Sequence, residues 1–385
     1  MKPFKVQIED DVLDDLQTRL KRTRLAPDFG NNLWSYGVEG EYLGELLDYW
    51  HTVFDWRSQE SKMNTFNHYL TKIDDIPIHF IYEKGKGPNP KPLIMSHGWP
   101  WTFWDYRKVI KPLTDPAAFG GDPEDAFDVI VPSLPGYGFS TPLTQTGINF
   151  WRTADIWVEL MCNVLGYNEF FAQGGDWGSG VTLQLGHKYA DKVKAIYVHT
   201  ALPLTLFIKA LPGRDEYSED EQRWYKKIQD FAIHGSGYSA LQCTCPQTIA
   251  YALNDSPIGL CAWILEKRRL WGDCKGDVET RFSKDDILTT VMIYWLTESY
   301  GTSGRYYYEA RNNPWKPSHD RIPQVESPTS ITVFENDVVA MPRKWAECVH
   351  NLKRWKIFES GGHFGPMEEP DVIIDEVRTF FRDYR

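Results

Sequence analysis

The sequence predicts an α/β protein with a mostly parallel, doubly wound sheet and an inserted helical block. Strand-like apolar runs alternate with segments of helix length between residues 76 and 199, which is typical of parallel sheets with crossover helices. The strand signals fade over residues 204–324 and resume near Ser330. Residues 174–178 read Gly-Gly-Asp-Trp-Gly, the pattern of a sharp turn between a strand and a helix. We therefore expect one large α/β core that carries a helical cap.

The N-terminal extension, residues 1–90, is predicted to be a meander that is helical and solvent-facing up to about residue 70. Its first helix is indicated by a stripe of apolar residues spaced four apart, namely Ile8, Val12, Leu16 and Leu20. A second helix is expected over residues 41–51. Strand signals begin only after this region, so the extension is predicted to precede the core.

The core is predicted in two parts, residues 91–203 and 325–385, with the cap between them at residues 204–324. Runs rich in apolar and β-branched residues mark the strands, at 76–82, 92–95, 128–131, 169–172, 194–199, 330–334 and 355–358. A helix from about Asp371 is expected to end the chain. Open sheets bind ligands beyond the carboxyl ends of their strands, so the cap is expected to cover a binding site.

The composition fits a soluble enzyme and argues against a nucleic-acid or membrane protein. The 385 residues are 42% hydrophobic and 15% aromatic, which suffices for a large core. A net charge of −11 argues against nucleic-acid binding, which requires clustered Lys and Arg. No apolar run approaches the roughly 18 residues of a membrane span, and no apolar signal sequence opens the chain. We expect a cytoplasmic protein and leave open whether it forms a homodimer.

The six cysteines are expected to be free thiols of a reducing compartment. They are scattered and include no Cys-x-x-Cys pair, which argues against a disulfide or zinc framework; they are Cys162, Cys243, Cys245, Cys261, Cys274 and Cys348. No motif in the chain implies a metal or an organic cofactor. The predicted chemistry therefore depends on side chains and backbone groups alone.

Asp176 occupies the nucleophile position of the 174–178 turn, where the usual pattern has serine. A carboxylate that attacks an sp3 carbon forms an ester, and water can then attack the ester carbonyl. A serine would form an ether, which water does not readily cleave. Asp176 therefore predicts displacement at an alkyl carbon, with epoxides and alkyl halides as the obvious substrates. The alternative is a simple surface turn, because Gly and Asp are common turn residues.

His363 is the predicted general base for hydrolysis of that ester. It follows two glycines, after a strand-like run and before the final helix, and the order nucleophile, acid, histidine is that of α/β-hydrolases. Asp337 follows the preceding strand and is predicted to accept the imidazole Nδ1–H. Glu335 is the competing candidate for the acid.

Two backbone N–H groups are predicted to form an oxyanion hole for the ester oxygen. Residues 97–100 read His-Gly-Trp-Pro and follow the strand at 92–95, where α/β-hydrolases carry a similar motif. The N–H groups of Trp99 and Trp177 would face the oxygen that gains negative charge. A simple turn at 97–100 is the alternative.

Together, these motifs resemble those of epoxide hydrolases of the α/β-hydrolase superfamily, in the branch related to microsomal epoxide hydrolase and its soluble microbial members. The matching segments follow the family order along essentially the whole chain, at residues 54–57, 97–100, 133–140, 174–179 and 361–364. The resemblance implies an enzyme that converts a small apolar or aryl epoxide and water into a vicinal diol. Cys245 in the cap and Glu335 before the acid depart from the family pattern.

The resemblance also implies two cap tyrosines that donate protons to the epoxide oxygen. Tyr238 matches the first position, and register against Glu309 selects Tyr307 for the second. Tyr306 and Tyr308 stay as alternatives to Tyr307. A phenol O–H near the leaving oxygen lowers the barrier, because unassisted opening would release a strongly basic alkoxide.

Two other functions compete with this interpretation. A haloalkane dehalogenase has a similar Asp-Trp-Gly turn, in which the Trp177 indole N–H could hold a leaving halide. The tyrosine-bearing cap segments and the N-terminal extension favour the epoxide hydrolase. The third hypothesis is a binding protein that kept the fold and lost catalysis, since a fold alone does not establish a function.

Overall fold

A computed structural model describes residues 1–385, and its centre is a single sheet of nine strands. The strands are β1 Lys2–Phe4, β2 His68–Ile73, β3 Ile76–Glu83, β4 Lys91–Ser96, β5 Phe127–Pro132, β6 Phe170–Gly174, β7 Val193–His199, β8 Val325–Phe334 and β9 His350–Phe358. Their order across the sheet is β1-β2-β3-β5-β4-β6-β7-β8-β9. The three pairs β1–β2, β2–β3 and β3–β5 are antiparallel. The other five neighbouring pairs are parallel. The predicted α/β-hydrolase fold with a mostly parallel sheet is confirmed.

Fifteen α-helices surround or extend this sheet. They are α1 Asp10–Lys21, α2 Gly40–Thr52, α3 Trp56–Met63, α4 Arg107–Thr114, α5 Phe150–Val158, α6 Trp177–Lys188, α7 Gln222–His234, α8 Gly237–Thr244, α9 Pro246–Asp255, α10 Pro257–Trp271, α11 Lys284–Leu296, α12 Tyr300–Asn312, α13 Arg343–Val349, α14 Gly365–Glu368 and α15 Pro370–Phe381. Helices α7 to α12 lie between β7 and β8 with no strand among them. No helix is both long enough and apolar enough to cross a membrane.

The register of the parallel strands brings four loops together at one edge of the sheet. Ser96 at the end of β4 pairs with Gly174 at the end of β6, and His199 at the end of β7 pairs with Thr332 in β8. The segments that follow β4, β6, β7 and β8 therefore leave the sheet side by side. This is the carboxyl edge, where open α/β sheets bind their ligands.

Helix α6, which follows β6, is buried along almost its whole length. Every residue from 177 to 187 is buried, and the helix contacts α5 as well as β4, β6, β7 and β8. A helix buried on all sides belongs to the centre of a protein rather than to its surface. The turn at its N-terminus is therefore fixed by packing on every side.

The N-terminal extension differs from its prediction at both ends. Helices α1 and α2 lie where they were expected, and Leu16 and Leu20 of the apolar stripe are buried. However, the expectation of helix throughout residues 1–70 is wrong, because β1 and β2 pair there as antiparallel strands. β1 has only three residues, and β2 shows no regular alternation of buried and exposed residues. β2 therefore forms because it pairs with β3, and the hydrophobic pattern of its own sequence does not determine it.

Candidate active site

Asp176 lies in the turn between β6 and α6 with a strained backbone. Its φ of 53° and ψ of −126° are unusual for a residue with a side chain. A Cβ on Gly174 would lie 2.2 Å from the carbonyl oxygen of Gly178, and one on Gly178 would lie 1.9 Å from that of Ser96. Only glycine fits at these two positions, so the turn can press against the end of β4. Asp176 is thereby presented at the carboxyl edge of the sheet.

The Asp176 carboxylate is buried, with 7% of the residue exposed, and its two oxygens face different partners. The backbone N–H of Trp99 donates a hydrogen bond of 2.7 Å to Oδ1. Oδ2 lies 3.4 Å from Nε2 of His363. The structure therefore brings together the predicted nucleophile, the predicted base and one predicted oxyanion donor.

His363 lies between two carboxylates. Its Nδ1–H donates to Oδ1 of Asp337 over 2.9 Å, while Nε2 faces Asp176. Burial lowers the pKa of His363, but the charges of the two carboxylates and the hydrogen bond to Asp337 outweigh burial and raise the pKa to about 10. The two carboxylates therefore favour the protonated form of the His363 ring.

Asp337 is the carboxylate that contacts His363 on the side away from the nucleophile. It is 2% exposed, and it also accepts hydrogen bonds from the Thr200 hydroxyl and, over 2.6 Å, from the N–H of Val338. Burial raises the pKa of Asp337, but the charge of His363 and the hydrogen bonds from His363 and Thr200 bring it below its ordinary value. Thr200 was not predicted, although its position directly after β7 puts it at the same edge of the sheet.

Glu335, the competing candidate for the acid that orients His363, points its carboxylate toward the cap instead. Its carboxylate accepts hydrogen bonds of 2.5 and 3.0 Å from Arg223 on α7. Trp224, the next residue of α7, donates to the same carboxylate from its indole N–H over 3.4 Å. Glu335 therefore links the cap to the core, and the structure leaves Asp337 as the partner of His363.

The loop after β4 holds the Trp99 N–H in place through His97. The Nδ1–H of His97 donates to the carbonyl oxygen of Gly98 over 2.9 Å, and Nε2 accepts from the N–H of Leu134 over 3.0 Å. Burial lowers the pKa of His97 to about 4, so its ring is neutral and both nitrogens are engaged. The second predicted donor, Trp177, begins α6, where the first N–H groups have no carbonyl partner within the helix.

The structure distinguishes the three consecutive tyrosines of α12. Tyr307 is 3% exposed and lines the cavity that contains Asp176. The hydroxyl of Tyr306 is instead 2.8 Å from Oγ1 of Thr153 in the core, and Tyr308 is 40% exposed. The register that selected Tyr307 therefore matches the face of α12 that is turned toward the predicted nucleophile.

Tyr238 and Tyr307 lie next to each other and pack against tryptophan side chains. The centroids of the two tyrosine rings are 5.8 Å apart. Tyr238 stacks on Trp99 at 5.1 Å with an angle of 4° between the rings, and Tyr307 packs edge-on against Trp177 at 4.7 Å. Burial raises the pKa of both phenols, and the charge of Asp176 raises it further. Both hydroxyls therefore keep their protons at neutral pH and can donate them.

A cavity of about 210 Å³ contains these groups. Beside Asp176, His363 and the two phenols, its walls are mainly apolar side chains, among them Leu206, Phe207, Ile228, Phe231, Val339 and Met341. A larger and more polar cavity of about 510 Å³ lies between α9, α12 and residues 143–148. Of the predicted catalytic residues and their alternatives, it is lined by Tyr306 alone. The smaller cavity is therefore the candidate active site, and it suits an uncharged, mainly apolar molecule.

Two sequence families match the chain. Residues 1–106 match the family described as epoxide hydrolase N terminus. Residues 91–229 match the family described as alpha/beta hydrolase fold. The two matches overlap near β4 and together extend from the N-terminal extension into the cap.

Relatives with similar names align with nearly the whole chain. A Stigmatella aurantiaca protein whose name contains the words epoxide hydrolase is 42% identical over 100% of this chain and 85% of its own length. Epoxide hydrolase 1 of Oryctolagus cuniculus is 37% identical over 99% of this chain and 88% of its own. Among solved structures, the epoxide hydrolase of Aspergillus niger has a TM-score of 0.86 at 29% identity, over 100% of this chain and 96% of that one.

Proposed function

The chain belongs to the epoxide hydrolase family, and on that basis we propose that it converts an epoxide into a vicinal diol through an ester on Asp176. One observation carries the proposal. The buried carboxylate of Asp176 contacts the Trp99 N–H and lies beside His363, in an apolar cavity that also contains two phenol hydroxyls. One site thus contains a nucleophile, a base, a hydrogen-bond donor for an oxyanion and two acids.

In the first step, Asp176 attacks an epoxide carbon, and the C–O bond to the epoxide oxygen breaks. Tyr238 or Tyr307 donates its O–H proton to that oxygen, which becomes the first hydroxyl of the diol. The new bond is an ester between the substrate carbon and the Asp176 carboxylate. The apolar cavity favours this step because the carboxylate is poorly solvated and the phenols are fully protonated.

In the second step, water attacks the ester carbonyl. Esterification removes the charge of Asp176, so the pKa of His363 falls, since one of its two anionic neighbours is lost. The proton that His363 carried restores the phenol, and the neutral ring can then accept a proton from water. Asp337 stabilises the imidazolium that forms. The N–H groups of Trp99 and Trp177 hold the oxyanion. Collapse of the tetrahedral intermediate breaks the bond from the acyl carbon to the substrate oxygen, which takes a proton from the His363 imidazolium and leaves as the second hydroxyl of the diol. The carboxylic acid left on Asp176 then returns its proton to His363.

The substrate proposed for this site is a small apolar or aryl epoxide, with water as the second reactant. The apolar walls of the cavity support this class. Diol formation from a small aryl epoxide, compared with bromide release from a bromoalkane of similar size, tests the activity. Diol without bromide is expected. Bromide without diol would favour the haloalkane dehalogenase, and neither product from either class of substrate would favour a binding protein.

The two phenols are expected to share the role of acid. Replacing either Tyr238 or Tyr307 with phenylalanine should lower the rate of ester formation by about 10- to 100-fold, because general acid catalysis contributes about 10²- to 10⁴-fold in total. Replacing both should lower it further. Single-turnover kinetics with a small aryl epoxide measures this rate. The control is Tyr308→Phe, on the exposed face of α12, which should match the unmodified enzyme. A double variant as fast as that control would contradict the assignment.

Gly98 lies so close to the nucleophile that a side chain there should disable the site. A Cβ at Gly98 would be 2.2 Å from Oδ1 of Asp176 and 2.6 Å from its Cγ. We expect Gly98→Ala to lower kcat/KM for diol formation by about 10²-fold or more, as the loss of an oxyanion donor does. A Cβ at Gly213 would have no atom within 4 Å, so Gly213→Ala is the matched control. A change of less than threefold for Gly98→Ala would refute the placement of the carboxylate.

We also propose a reducing, cytoplasmic location and the four-part division 1–90, 91–203, 204–324 and 325–385. All six cysteines are free thiols, which supports the first proposal. The position of α7 to α12 between β7 and β8 supports the second. Whether the chain forms a homodimer stays open, and the mass of the protein in solution would decide it.

A further inference from the structure

The loop that carries His363, residues 359–364, is hydrogen-bonded to the cap at the last residue of α10 and just beyond it. The backbone N–H of His363 donates to the carbonyl oxygen of Trp271 over 2.9 Å. The N–H of Gly361 donates to Oδ2 of Asp273 over 3.2 Å. The cap and the loop that carries His363, called the base loop from here on, therefore meet through one bond between backbone groups and one from a backbone N–H to a carboxylate. These bonds leave little freedom in the separation of the two segments.

Glu368 completes this junction with two charge-assisted hydrogen bonds. It lies at the end of α14, and its Oε1 accepts from the N–H of Phe364, the residue after His363, over 2.8 Å. Its Oε2 accepts from the N–H of Asp273 over 2.7 Å. Glu368 is 7% exposed, so water cannot easily replace these partners. A buried carboxylate that bridges two N–H groups fixes the distance between them.

The same part of the cap also contacts the proton donor and the oxyanion loop. The ring of Trp271, at the end of α10, is 4.9 Å from the ring of Tyr238 and 5.1 Å from that of His363. One turn earlier, Arg268 donates to the carbonyl oxygen of Pro100 over 3.3 Å. The end of α10 therefore contacts the base His363, the acid Tyr238 and the loop that contains Trp99, and it helps to position all three.

We propose that Glu368 is a positioning residue for His363. By bridging the N–H groups of Phe364 and Asp273, its carboxylate holds the base loop against the cap, so that Nε2 of His363 stays within reach of the ester on Asp176. Glu368 does not line the cavity and does not touch the substrate. The proposal rests on the two-step function proposed above and adds a residue that acts through the base.

The bridge depends on the negative charge of Glu368, because both of its carboxylate oxygens accept hydrogen bonds. Burial raises the pKa of Glu368 to about 7, although the two N–H donors and the charge of Arg281 oppose the increase, and the charge of Asp337 adds to it. The other titratable groups at the junction are Asp273, Cys274, His363 and Glu369. A neutral carboxylic acid or an amide would place a donor against one of the two N–H groups. Glu368→Gln therefore imitates the state in which the bridge is broken.

The test separates ester formation from ester hydrolysis in single-turnover reactions of the full-length enzyme with a small aryl epoxide. The amounts of esterified Asp176 peptide and of diol are followed by mass spectrometry. Glu368→Gln should slow ester hydrolysis by at least about tenfold, because general base catalysis contributes about 10²- to 10⁴-fold, and should change ester formation by less than threefold. Glu368→Asp should act in the same direction, since its shorter side chain cannot reach both N–H groups.

Glu376→Gln is the matched control. Glu376 is a carboxylate of similar burial, at 4% exposed, and pairs with Arg354 on β9 rather than with the base loop. Both of its rates should match the unmodified enzyme. Equal slowing of both steps by Glu368→Gln, no slowing of either, or failure of both Glu368 variants to fold would overturn the proposal and make Glu368 a residue of general stability. The absence of any ester even in the His363→Gln variant, in which ester hydrolysis should be blocked, would instead refute the two-step function.

Discussion

Replacing Asp176 with alanine is expected to abolish diol formation. The variant lacks the only group placed to form an ester with the substrate, so the rate should fall by about 10⁴-fold or more, as it does when a covalent nucleophile is removed. The remaining groups, His363 and the two phenols, still line the cavity, so substrate binding should be weakened much less than turnover. Steady-state diol formation and equilibrium binding of a small aryl epoxide measure the two effects.

Asp128→Ala is the control for this variant. Asp128 is as buried as Asp176, at 6% exposed against 7%, but it pairs with Lys84 at a distance from the site. This change should lower stability and leave the activity of the folded enzyme intact. Turnover by Asp176→Ala at more than about one per cent of the unmodified rate would contradict a covalent nucleophile, since its loss should cost far more.

Replacing His363 with glutamine is expected to stop the reaction at the ester. Ester formation requires Asp176 and a phenol, whereas ester hydrolysis requires the base, so the two steps should respond differently. Diol release should fall by about 10²- to 10⁴-fold, the usual contribution of general base catalysis. Mass spectrometry of the Asp176 peptide should show the added mass of the substrate, at close to one equivalent per active site.

His350→Gln is the control for this change. His350 and His363 are equally buried, at 3% exposed, but His350 bonds only to the carbonyl oxygen of Ala346 in the core. No ester should accumulate in that variant. A His363→Gln variant that loses diol formation without any added mass on Asp176 would place His363 in the first step and contradict its role as base.

The strands from β3 onward and the nucleophile turn could be predicted because local sequence determines them. Continuous apolar runs mark strands that are buried on both faces, and the Gly-Gly-Asp-Trp-Gly segment contains the glycines that the tight turn requires. The order of motifs then brought Asp176, Asp337 and His363 together, since consecutive parallel strands end at the same edge of the sheet. The helical cap was visible as a long interval without strand signals.

Other features depend on contacts between distant segments. β1 and β2 have weak patterns of their own, and their strand pairing stabilises them. Thr200 and Glu368 look like ordinary polar residues in the sequence, and only the packing of β7 beside β8 and of the cap on the base loop gives them partners. The choice of Tyr307 among three tyrosines came from the family resemblance, because residue spacing alone does not determine which face of α12 meets the core.

The covalent route is tested most directly by one turnover of a small aryl epoxide in ¹⁸O-labelled water. The diol and the Asp176 peptide are then analysed by mass spectrometry. In the two-step scheme, the oxygen that enters the diol comes from the carboxylate, and water replaces it there. The account predicts an unlabelled diol and one labelled oxygen on Asp176. Label found directly in the diol, with none on Asp176, would mean that water attacks the epoxide itself and would contradict the account.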